Sequence, residues 1–361
     1  MSGQRHDGLD AGRALAMILV VATHAAISFM ITPIGWAIQD RSQHLAVDLY
    51  VWVVRAFAMP VFFWLSGYFA RVVLDHSGAG GFVRHRMVRI AAPLAIGLVP
   101  CSLALNALWD WGRELAGRAG VAANVPKLHG SGLPITLGHL WYLYYLLAIS
   151  LVALAASGLA RRWRIVVHPG AVLAGGAVMI AGTLALAGEL QLDTPLGFAI
   201  DPVFAGFHGA FFAWGWVVNA HPGMLVRLAA HAWRFAAVAP VLLLVLVGPL
   251  QAAADPATAG RPPLYAIAAS GALSIALVAA FVGLCVRHAT RPHPLFRLVS
   301  EASYWTYVAH FPLVILLQVV LAGVVIPGPL KWFAIVVMTS AACLASYELV
   351  VRRTVLRRLL G

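Results

Sequence analysis

Charge is what this chain has least of. Asp, Glu, Lys and Arg make up 11% of its 361 residues, against about a quarter in soluble domains. That excludes an ordinary water-facing globule, and 61% hydrophobic residues suit a solvent of lipid instead. Negative charge is scarcer still: 13 Asp and Glu stand against 25 Lys and Arg, a formal charge of +12. Cysteine is nearly absent. Cys101, Cys285 and Cys343 lie in apolar stretches with no ligand spacing, so neither a disulfide framework nor a metal site is expected. Repeats and low-complexity segments are missing, and no soluble domain interrupts the pattern. The reading is one membrane domain over residues 1–361. A cleavable leader is not expected, because the first apolar run is long, lacks a small-residue cleavage site and carries Arg13 and His24.

A membrane span needs about 20 apolar residues. Ten stretches qualify: 9–31, 48–73, 89–109, 136–157, 170–188, 202–219, 233–250, 264–286, 296–321 and 331–351. The fold class is therefore all-α and polytopic, with about ten spans and both termini on one side. The basic residues test this. Of the 25 Lys and Arg, eighteen fall on the side of the termini, six on the other, and Arg55 within a span. The positive-inside rule then puts both termini in the cytoplasm. The excess positive charge is topology, and no nucleic-acid partner is implied. Connections are short except 110–135, a connector or a substrate platform on the outer side, and 189–201, which carries Glu189, Asp193 and Asp201.

Ionisable groups inside spans are costly and ask for a function. The first span holds Asp10, Arg13 and His24. Arg13 and His24 are eleven positions apart, within about 20° of three full turns, so they share a face about 16 Å apart along the axis. Asp10, three residues before Arg13, is placed to pair with it. The bland alternative is a buried histidine bonded to a neighbouring helix, with an arginine marking the boundary. In the second span Arg55 is either paired internally with Asp48, seven positions earlier, or faces a cavity that holds an anionic part of a substrate. Ser66 and Gly67 are small enough for close helix approach. Arg86 and Arg89, with Arg84 and His85 before them, are either a cytoplasmic flank or a phosphate site, since guanidinium forks suit phosphate oxygens. His139, Trp141, Tyr142, Tyr144 and Tyr145 read as an interfacial aromatic belt or as a stacking surface for sugar rings. His208, Trp214 and Trp216 read as similar lining or plain core. Ser303, Tyr307 and His310 form one helical stripe, and Pro312 bends the helix after it. Glu301 and Glu348 lie near the inner edge, and Glu348 is placed to pair with Arg13 or with the Arg86/Arg89 group.

Several segments in order, LDAGR…H, RAFAMPVFFWLSGYF, RHRMVRIAAP, GHLWYLYYLL, ASYWTYVAHFPL and YELVVRR, resemble the membrane acyltransferase-3 family. Within it they look most like the glucan succinyltransferases, although Phe311 stands where that branch has a second histidine. The resemblance covers nearly the whole chain. It implies a multi-pass protein of the bacterial inner membrane. The implied reaction moves an acyl group, succinyl in that branch, from cytoplasmic acyl-CoA to a hydroxyl of a periplasmic glucan or other glycan. No permanently bound cofactor is implied, because acyl-CoA (succinyl-CoA) is a substrate. On this reading Arg13, Arg86 and Arg89 hold the CoA phosphates, and the 16 Å to His24 matches the reach of a pantetheine arm. His24 serves as general base or transient acyl carrier. Asp10, Tyr307 and His310 complete the catalytic set, while Arg55, Trp141 and Glu348 contact substrate. The rival is a glycan or glycolipid transporter, which usually places acidic residues centrally. None is clearly central here.

Overall fold

The computed structural model describes residues 7–32, 34–119, 135–162, 168–254, 260–291 and 293–360. Its long helices are α1 (Asp7–Ala26), α2 (Leu45–Arg86), α3 (Ala92–Ala119), α4 (Trp141–Arg162), α5 (Pro169–Ala187), α6 (Pro202–Ala220), α7 (Pro222–Ala254), α8 (Leu264–His288), α9 (Pro294–Ala322) and α10 (Gly328–Ser346), followed by a short α11 (Arg357–Leu360). Each expected span coincides with one of α1–α10. Among the described residues, eight stretches are long and apolar enough to cross a membrane. One of these, Leu45–Ala116, contains both α2 and α3. α6 falls outside the set because His208, Trp214, Trp216 and Asn219 dilute its apolar residues. No strand occurs among the described residues. The protein is an all-α, polytopic membrane protein, as lipid requires of a chain whose backbone bonds must close within each segment.

Boundaries differ from the hydropathy reading in several places, and three bear on the candidate residues or on the 110–135 connection. α1 stops at Ala26, two residues after His24, and a single tight turn covers Ile27–Phe29. His24 is therefore in the last turn of its helix. α2 runs on to Arg86, through a break at Gly78 with φ 66° and ψ −176°. Arg84, His85 and Arg86 thus form its last turn. A wider π-type turn over Met87–Ala91 then carries Arg89 into α3. α3 continues to Ala119, so Asp110, Trp111, Arg113 and Glu114 are helical rather than loop. Asp110 and Arg113 pair along it. Lys127 and His129 lie outside the described residues.

After α1 the chain folds back into the protein. Trp36, Ala37, Ile38, Gln39 and Asp40 are all buried. Asp48 does not pair with Arg55 but accepts from the backbone N–H of Ile31 and Thr32, both at 2.8 Å. The Asp40 carboxylate meets Lys331 Nζ at 2.5 Å, with both side chains 4% exposed. Lys331 is thereby part of the interior. Such a buried pair needs close geometry and further hydrogen bonds, and Ser42 N–H supplies one to Asp40 at 2.9 Å.

α1 is central and packs against α2, α8, α9 and α10. α2 and α6 approach closely. A Cβ on Gly67 would sit 1.9 Å from the Phe212 carbonyl oxygen, and one on Gly215 would sit 1.9 Å from that of Trp64. Small residues on both helices let the backbones touch, and without water between helices, packing of this kind drives association.

Candidate active site

A cavity of about 510 Å³ opens between α1, α2, α4, α6 and α9, toward the side of the α1–α2 and α5–α6 connections. Its wall is aromatic, with Trp36, Trp109, Trp141, Phe204, Phe207 and Phe311. The polar groups among its lining include His24, His139, His208, Tyr307 and, from the connection after α5, Gln191 and Asp193. A concave apolar site with a few convergent polar groups is the usual form of a small-molecule site.

Two histidines from different helices meet at its wall. His24 Nδ1 and His310 Nε2 are 3.1 Å apart. The proton on this contact follows from its neighbours. His310 Nδ1 lies 2.9 Å from the Thr306 carbonyl oxygen and 2.8 Å from that of Tyr307. A carbonyl only accepts, so His310 Nδ1 carries the hydrogen, and in the neutral ring Nε2 is an acceptor. His24 Nδ1 must then be the donor, which leaves His24 Nε2 as a lone pair. His310 is fully buried, whereas His24 is partly exposed and lines the cavity. The inner histidine orients the outer one and fixes its tautomer.

Further bonds fasten this pair. Gln318 on α9 donates through Nε2 to the carbonyls of His24 and Ala25, at 2.9 and 3.1 Å. Its Oε1 accepts from Trp36 Nε1 at 2.9 Å. Trp36 is thereby held parallel to His24, with centroids 6.3 Å apart and planes 7° from parallel. Phe311 meets the His24 ring edge-on at 4.8 Å. His139 stacks on Phe311 at 5.0 Å and donates through Nε2 to the Val308 carbonyl at 2.9 Å. Its Nδ1 is buried without a partner. The Tyr307 hydroxyl donates to the His139 carbonyl.

Arg55 lies at the mouth. Its Nη2 is 3.5 Å from the Leu192 carbonyl oxygen and 3.8 Å from Asp193 Oδ1. Arg55 also acts electrostatically on the His24 ring. Nearby, outside the helices, burial pushes the Glu189 carboxyl above its ordinary range, and Asp193 adds to this.

The opposite, arginine-rich end is built differently. Arg86 is 6% exposed, and its Nε and Nη2 have no hydrogen-bond partner. Its guanidinium lies over the Phe82 ring at 4.7 Å, and that of Arg13 over Phe69 at 4.9 Å. Both cations act on Tyr142, whose hydroxyl bonds Ser66 Oγ at 2.7 Å. The Arg89 carbonyl accepts from Tyr304 at 2.5 Å. Asp10 accepts from Ser300 Oγ at 3.3 Å.

The family model of the acyltransferase domain, Acyl_transf_3, matches residues 6–348. The chain belongs to the acyltransferase-3 family. No curated protein and no solved structure matches it. It is a membrane acyltransferase.

The structure of this acyltransferase brings together His24, His310, Tyr307, Trp141 and Arg55 around one cavity. Arg13, Arg86, Arg89, Asp10 and Glu348 do not line it. The cavity that reaches His24 is lined by residues of the α1–α2 and α5–α6 connections, among them Trp36 and Leu192. Glu348 bonds Arg352, one turn later, at 2.7 and 2.9 Å, and not the group to which the sequence assigned it. The belt reading of α4 is overturned for His139, Trp141, Tyr142 and Tyr145, all of which are buried. Trp214 and Trp216 are core, against Trp64 and Phe82 respectively. Trp36, Gln318 and Thr306 were missed. A tryptophan and a glutamine facing the His24 turn carry no local pattern that would single them out.

Proposed function

We propose that this acyltransferase moves an acyl group from acyl-CoA, presented at the arginine-rich cytoplasmic end, to a glycan hydroxyl that enters the cavity from the periplasmic side. Succinyl is the acyl group and a periplasmic glucan the acceptor that the sequence resemblance favours. The observation that carries the reading is the His24–His310 pair at the wall of an aromatic cavity.

The chemistry follows from the tautomers. An acceptor hydroxyl placed at His24 Nε2 gives up its proton as its oxygen attacks the thioester carbonyl carbon. The carbon–sulfur bond breaks as the tetrahedral intermediate collapses. The thiolate leaves with the proton that Nε2 has held, so the imidazole returns to its starting form. While His24 is protonated at both nitrogens, Nδ1–H still donates to His310, which spreads the developing charge. Alternatively Nε2 attacks first and briefly carries the acyl group. Apolar walls exclude water, which would otherwise take the acyl group from either species. Trp36 and Trp141 offer faces for the sugar ring.

At the other end the unpartnered Nε–H and Nη2–H of Arg86 support a site for phosphate oxygens, shared with Arg13 and Arg89. A buried guanidinium left without an acceptor is costly, and an arriving anion removes that cost. Family membership favours this reading over a transporter.

The test uses the purified full chain in detergent with succinyl-CoA and a glucan oligomer. Free thiol appears with time, and the oligomer gains the mass of a succinyl group. The His24→Ala protein, folded by its melting profile, releases none above background. Undiminished thiol release in that variant would overturn the mechanism.

A further inference from the structure

Histidines aside, Arg55 and Asp193 are the only ionised side chains that line the cavity among the described residues. They face each other but barely hold on. Both polar contacts of Arg55, 3.5 Å to Leu192 and 3.8 Å to Asp193, exceed the 2.7–3.2 Å of a good N–H···O bond. A guanidinium presents five donors in a planar fork that fits a carboxylate bidentately. Here the fork is not used that way. The Asp193 side chain is 93% exposed against 38% for Arg55, so the carboxylate leaves at little cost while the cation stays at the wall. Arg55 and His24 line the same cavity, so an acyl chain held at the imidazole shares its space with the guanidinium.

We propose that Arg55 and Asp193 form a carboxylate-exchange site, in which a substrate carboxylate displaces Asp193 from Arg55 and makes acyl groups with a distal acid the preferred cargo. This rests on the acyl-transfer reading of the His24 cavity and adds to it the selecting residues. The acyl tail is the leading end of a donor that arrives from the arginine-rich side. With the thioester carbon at His24, that tail extends outward, toward Arg55. An acyl group ending in a methyl leaves the weak Arg55–Asp193 pair as it is and gains nothing. One ending in a carboxylate exchanges a long contact for a bidentate one and releases Asp193 to water. Asp193 therefore works against a succinyl donor and has no effect on a neutral donor of the same length.

Steady-state thiol release is compared with succinyl-CoA and with butyryl-CoA, its uncharged four-carbon counterpart, in the wild type, Arg55→Gln and Asp193→Asn. The ratio of kcat/KM for succinyl over butyryl falls about tenfold in Arg55→Gln, between the small effect of an exposed charge pair and the larger one of a buried pair. In Asp193→Asn it rises severalfold, through a lower KM for succinyl-CoA. Equal losses on both donors in Arg55→Gln, or a lower ratio in Asp193→Asn, would overturn the proposal. A second measurement needs no turnover. Monomethyl succinate raises the melting temperature of the wild type, raises that of Asp193→Asn further and leaves Arg55→Gln unmoved, while dimethyl succinate stabilises none of them. If no donor releases thiol yet this pattern holds, the acyl-CoA reading falls and the exchange site stands. If the ester stabilises all three proteins alike, the site falls.

Discussion

The two ends of this acyltransferase handle buried polar groups in opposite ways. At the cavity end, His24, His310 and His139 are packed among aromatic rings and are joined by hydrogen bonds to each other or to backbone carbonyls. At the arginine end, Arg86 is almost fully enclosed with two N–H-bearing nitrogens unpartnered. A neutral imidazole can be satisfied by a carbonyl and a second imidazole, as His310 is, and the nitrogens left over at this end, His24 Nε2 and the buried His139 Nδ1, carry no charge. A guanidinium keeps its charge, so on the proposed reading an arriving anion completes the arginine end. The first arrangement suits chemistry, the second holding.

That contrast predicts a split in kinetics. The largest effect belongs to His24→Ala, with a loss of about 10²–10⁴ in kcat, the range for a general base, and a small change in KM for acyl-CoA. His310→Ala follows, with a loss of about 10–10² in kcat, because Nδ1–H of His24 loses its acceptor and the ring its tautomer. Arg86→Gln does the reverse, raising KM for acyl-CoA by about tenfold or more with kcat nearly kept, as loss of uniform binding does. A kcat loss in Arg86→Gln equal to that of His24→Ala would erase the distinction between the ends. The smallest effect on turnover per folded molecule is Gly67→Ala, which acts on the frame between them. Its Cβ would meet the Phe212 carbonyl oxygen at 1.9 Å, so overpacking lowers stability by about 1–3 kcal/mol. A drop in melting temperature checks it.

How much of this was legible in the sequence depends on the range of the signal. The shared face of Arg13 and His24 and the stripe of Ser303, Tyr307 and His310 follow from helical periodicity. Periodicity could not say that His24 would meet His310, because that contact joins residues 286 positions apart. Glu348 misled because its carboxylate had several arginines in range, and the π-type turn at Tyr347–Val351 gave it Arg352. For Arg55 the sequence left two readings open, and the structure puts it at the cavity rather than beside Asp48. Asp48 is a fitting partner by spacing, yet the chain folding back after α1 uses it to cap two backbone amides. On α4, tryptophan and tyrosine at a helix end read the same whether they face lipid headgroups or a neighbouring helix.

By itself the sequence determined the lipid-like solvent, the long helices, and which two of them carry His24 and His310. These rest on composition and on the 3.6-residue repeat, which are properties of each segment alone. Only the tertiary structure decided which rings touch, which tautomer results, from which side the cavity opens and which carboxylate lies across from Arg55. In lipid every helix has an apolar face to offer, so hydropathy does not choose among neighbours. Steric fit at glycines such as Gly67 and Gly215, and the pairing of the few polar groups inside, make that choice.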